Sequence, residues 1–131
     1  MDLIGITETL SRTPAFRRLG DETSAGNYRL TVGVSDAAKA AAIAALALGR
    51  KAPLLVLTSK EDRAERLAEE LAVWLGDVIQ VLEFPERDVL PYERLAPAPD
   101  TLRDRLLVLS ALRDGRPAVV VACGLAIAQR T

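Results

Sequence analysis

The sequence predicts an α/β domain built on a mainly parallel sheet. Short apolar stretches rich in β-branched residues alternate with stretches of roughly 12–16 residues whose apolar positions recur at helical spacing. Two of the short stretches, Pro53–Thr58 and Ala118–Val121, are almost continuously apolar, as strands are when both faces of a sheet are covered. Glycine, serine or aspartate marks most of the joints between them.

Taken in order, Leu3, Ile6, Leu10, Phe16 and Leu19 fit two short helices broken at Thr13-Pro14, because proline disfavours helix in the residue before it. Residues 20–27 read as a loop, so 1–27 form a helical segment ahead of a main domain over 28–131. Tyr28-Arg29-Leu30-Thr31-Val32 alternates like a strand. After Gly33-Val34, Ser35 or Asp36 caps a helix that runs to about Leu48. Pro53–Thr58 is the second strand, and Ser59 caps a helix from about Lys60 to Leu75. That helix carries Ala64, Leu67, Ala68, Leu71 and Leu75 on one face. Val78–Leu82 is the third strand. An irregular, proline-rich stretch over 83–99 follows, then a helix capped by Asp100 and running through Leu112. Ala118–Val121 is the fourth strand, and a helical turn starts at Gly124. The ligands of such sheets sit at the carboxyl ends of the strands.

Composition narrows the chemistry. The 131 residues include no histidine and a single cysteine, Cys123. That excludes histidine bases, His/Cys zinc sites and internal disulfides. With 17 basic against 18 acidic residues, there is no charge excess to favour nucleic acid as the main partner. The first residues lack a signal-peptide pattern, and the longest apolar stretch, 40–49, is about half of the roughly 20 residues a membrane span needs. The expectation is a cytoplasmic chain without a membrane partner.

The turn after the first strand reads Gly33-Val34-Ser35-Asp36-Ala37-Ala38-Lys39-Ala40. Gly33 and Lys39 match the spacing of a Walker A loop, G-x-x-x-x-G-K-[ST]. Ala38 stands where the second glycine lets the backbone approach phosphate, and Ala40 where a hydroxyl ligates Mg²⁺. Asp36 adds a charge that would repel a phosphate ~4 Å away by about 1–4 kcal/mol. No later strand ends in a Walker B acid. The turn is either an ordinary strand-to-helix joint or a P-loop whose nucleotide site has decayed.

A second block carries more information. Phe84-Pro85-Glu86-Arg87-Asp88-Val89-Leu90-Pro91-Tyr92-Glu93 is followed by Asp100, with Arg105-Leu106 further on. Together with the degenerate turn and Val119-Val120-Val121-Ala122, it resembles the amino-terminal region of bacterial transcription-repair coupling factors (Mfd), over about 14–131. The resemblance implies the first α/β domain of a module related to UvrB. Its fold would be helicase-like (RecA-like), with a degenerate nucleotide site and no catalysis or cofactor of its own. ATP and Mg²⁺ would belong to the translocase domains of the parent protein. UvrA would be contacted through an adjacent inserted domain, and RNA polymerase and DNA through the rest of the parent. The rival reading is a nucleotide-binding ATPase or helicase piece of the UvrB type.

The candidate residues divide accordingly. Gly33, Asp36, Ala38, Lys39 and Ala40 mark the degenerate loop. Leu90, Pro91, Tyr92, Glu93, Asp100 and Arg105 are the family-motif candidates for an interaction surface. Thr58-Ser59-Lys60 could touch a phosphate backbone, although Ser59 as a helix cap explains the same residues. Glu86, Asp88 and Glu93 read as a solvated acidic loop, with Tyr92 pinning that loop to the domain. Trp74 reads as core rather than a base-stacking platform, Cys123 as a small buried residue, and Arg105 as the partner of a carboxylate. An incompletely covered sheet would favour self-association.

Overall fold

The computed structural model describes residues 3–26, 29–89, 92, 96 and 98–129. Two helices open the chain, α1 (Ile4–Ser11) and α2 (Pro14–Ser24). Pro14 occupies the first turn of α2, where its missing N–H costs nothing. The helix continues past Gly20 to Ser24, so the loop expected from residue 20 starts later. The α1 helix is tied into the body rather than hung from it. Thr7 is fully buried, its hydroxyl lies 2.8 Å from the Trp74 carbonyl, and the Leu3 N–H donates to Val73 O at 2.9 Å.

The main body comprises α3 (Lys39–Leu48), β1 (Leu54–Thr58), α4 (Glu61–Leu75), β2 (Gln80–Phe84), α5 (Pro99–Arg113), β3 (Ala118–Cys123) and α6 (Gly124–Ala128). Among the described residues, three strands form one parallel sheet in the order β1-β3-β2. Leu54 to Thr58 lie beside Val119 to Cys123, and Gln80 to Phe84 beside Ala118 to Ala122. The strand that comes last in the sequence therefore sits in the middle, and all six of its residues are buried. The α/β class and the parallel sheet agree with the sequence reading.

One face of the sheet is covered by α3 and α4. Val119 and Val121 pack there with Ala40, Ala44, Ala47, Ala64, Leu71 and Leu75. Alanines along α3 let that helix approach closely. The other face carries Phe84, Val120 and Ala122 beneath Val108 of α5 and Ala126 of α6.

Several boundaries differ from expectation. Of the strand expected over 28–32, the described residues 29–32 are not in the sheet. Residues 29–34 are exposed and without regular structure, and Tyr28 lies outside the described residues. Alternation supplies strand propensity, but a strand exists only when a neighbour accepts its hydrogen bonds. Neither Ser35 nor Asp36 caps α3 through its side chain. A 3-10 turn, Asp36–Ala38, intervenes, and Ala38 is the N-cap residue. Ser59 does not cap α4 either, since Lys60 holds that place. The β2 strand starts two residues late because Gly76, at φ +54, turns the chain and Val78 N–H returns to Leu75 O. Asp100 lies inside the first turn of α5, after Pro99, instead of capping it.

Candidate functional site

The turn that resembles a phosphate loop is built from ordinary backbone. Ser35, Ala38 and Lys39 all have negative φ, and Gly33 is not among the positive-φ glycines. A Cβ on Gly33 would meet nothing within 4 Å. Nothing in this turn requires glycine. Lys39 Nζ donates to Asp36 Oδ1, an exposed pair one helical turn apart. That bond, with the lysine charge behind it, holds the Asp36 carboxyl below its ordinary pKa. Ala40 faces inward, is 1% exposed, and belongs to the core between α3 and the sheet. The position matching the Walker hydroxyl thus points away from any ligand at the turn.

Beside the turn, at the carboxyl end of β1, lies a cleft of about 430 Å³ lined by Asp36, Lys39, Thr58, Ser59, Arg63 and Arg66 among others. It occupies the place where α/β sheets hold their ligands. The two arginines are not among the residues the sequence singles out; they lie off the apolar face of the helix over 60–75. Their spacing gave no signal that they would border a cleft. Thr58 is committed locally, its hydroxyl donating to Lys60 O at 2.8 Å. Among the described residues, no group of three or more His, Cys, Asp or Glu could hold a metal ion.

The second motif block converges on Arg105. This residue, expected at the surface, is 1% exposed. Its guanidinium donates to Pro85 O at 2.6 Å, Ala126 O at 3.3 Å and Gln129 O at 3.1 Å, and lies 4.0 Å from the centre of the Phe84 ring. It therefore ties the segment after β2 to the carboxyl end of α6, where a cation also meets the favourable end of the helix dipole. Burial lowers its pKa, but a guanidinium stays charged at neutral pH.

Glu86 is half-buried rather than solvated, which corrects the expectation for it, while Asp88 is exposed as expected yet makes a specific contact. The Cys123 thiol donates to Glu86 Oε1 at 2.8 Å, and the Ala126 N–H donates to Cys123 Sγ at 3.3 Å. The Glu86 N–H donates to Glu61 Oε1 at 3.0 Å. Asp88 Oδ2 accepts the Ala98 N–H at 2.9 Å, joining the two ends of the intervening segment. Burial, reinforced by Glu86, pushes the Cys123 thiol pKa up. It is protonated at neutral pH and poorly suited to act as a nucleophile. Tyr92 is 79% exposed, so it does not pin the loop to the domain. Trp74 packs partly against the core, as expected. Asp100 is exposed and pairs with Arg103 at 3.4 Å. Leu90, Pro91 and Glu93 lie outside the described residues.

Glu83 shows the opposite electrostatics. It sits on β2 opposite Val121, on the face that α4 covers. Burial, followed by the charges of Glu65, Glu61, Asp104 and Glu69, raises its pKa. A raised carboxyl pKa means that its contribution to stability is complete below the unfolded value. It is lost as pH climbs through the folded value. Glu83→Gln should therefore raise the melting temperature at pH 7, and the gain should disappear near pH 3; thermal melts of both chains across that range check it.

These features define a parallel α/β domain with helices on both faces of the sheet and a charged cleft at one strand end. Among the described residues, no helix is long and apolar enough to cross a membrane. No family model matches the chain. It is 36% identical over 110 residues to the transcription-repair-coupling factors of Mycobacterium bovis and Mycobacterium tuberculosis, covering 84% of this chain and 9% of theirs. To that of Myxococcus xanthus it is 32% identical over 114 residues, covering 82% and 10%. The chain belongs to the transcription-repair-coupling-factor family, and spans about a tenth of the length of the curated relatives it matches. This agrees with the resemblance read from the sequence.

Proposed function

We propose that this chain is a non-catalytic, helicase-like scaffold of a transcription-repair-coupling factor. In this reading it holds the neighbouring parts of a longer polypeptide in place. Those parts link stalled RNA polymerase to nucleotide excision repair through UvrA and an ATP-driven translocase on DNA. The observation that carries the reading is the burial of Ala40 in the core. A residue committed to packing between α3 and the sheet is unavailable for metal ligation, and a hydroxyl introduced there would not face the turn. The pairing of Lys39 with Asp36 adds to this, since a phosphate would have to compete with a carboxylate already in place.

The cleft beside Arg63 and Arg66 favours a second reading, a nucleotide-binding piece of the UvrB type. Thermal melts with and without millimolar Mg-ATP separate the two. A scaffold melts at the same temperature in both. A nucleotide site with a dissociation constant a hundredfold below the ligand concentration would add about 2.7 kcal/mol, a shift of several degrees. Pull-downs with this chain and with a longer stretch of the parent polypeptide, against UvrA, RNA polymerase and DNA, test the partner assignment. Capture by the longer stretch alone supports a scaffold.

A further inference from the structure

We draw no further inference here: the strongest candidate, the outer edge of β1, which pairs with no strand among the described residues and presents the exposed Leu55 and Leu57, carries nothing because nothing in the structure shows what covers it.

Discussion

Replacing Arg105 with alanine should destabilise the domain by roughly 3–5 kcal/mol, the range seen when one partner of a buried charged network is removed. Among the described residues, the guanidinium donates to the backbone carbonyls of Pro85, Ala126 and Gln129. Each carbonyl left buried without a donor costs about 1–3 kcal/mol, reduced where water enters. For a chain of this size the melting temperature should fall on the order of 10–20 °C. Arg105→Lys keeps the charge but loses the planar fork, and one ammonium on a flexible stem cannot reach all three carbonyls in their present directions. It should recover less than half of the loss. Urea unfolding of the three chains checks both statements; an alanine variant as stable as the parent would remove Arg105 from its place as the clamp between the segment after β2 and α6. That role also gives the Asp100-to-Arg105-Leu106 motif a physical meaning. The arginine works inward, while Leu106, next to it, faces solvent.

Restoring the Walker residue should break the core instead of building a site. Ala40 is 1% exposed and packed among Ala44, Leu71 and Val119. Ala40→Thr adds two heavy atoms to a filled space, at about 1–3 kcal/mol. Its hydroxyl finds a partner only by bonding back along the helix. The expected loss is roughly 2–4 kcal/mol, with no gain in Mg-ATP affinity. Ala40→Ser, lacking the extra methyl, should lose about half as much. Calorimetric melts and nucleotide titrations of the two variants decide the matter. A stable Ala40→Thr chain that binds Mg-ATP would show that the turn retains a working nest, and the scaffold reading would fail with it.

Where the sequence was informative, near neighbours carried the signal. The break at Thr13-Pro14 separates α1 from α2. The amphipathic run over 61–75 became α4. The apolar Val119-Val120-Val121 became the buried centre of the sheet. The candidate site was much less legible. Asp36 and Lys39 are one helical turn apart, so their pairing could be read locally. Arg63 and Arg66 border the cleft only because α4 packs beside β1. Ser59 and Asp100 have the right chemistry for helix caps, but Lys60 and Ala98 hold the cap positions.

The sequence by itself determined the order and type of most elements, the parallel α/β class and the family. Periodicity and joint residues act over a few positions, and the chain states them directly. Only the tertiary structure decided which elements pair and which side chains are enclosed. It left 29–32 outside the sheet and turned Ala40 inward. It also buried Arg105 beneath carbonyls from distant segments, and left Leu55 and Leu57 bare on an edge strand whose composition resembles that of the buried one. A free backbone edge or an enclosed guanidinium is a property of residues far apart in the chain meeting in space, and no local pattern encodes that meeting.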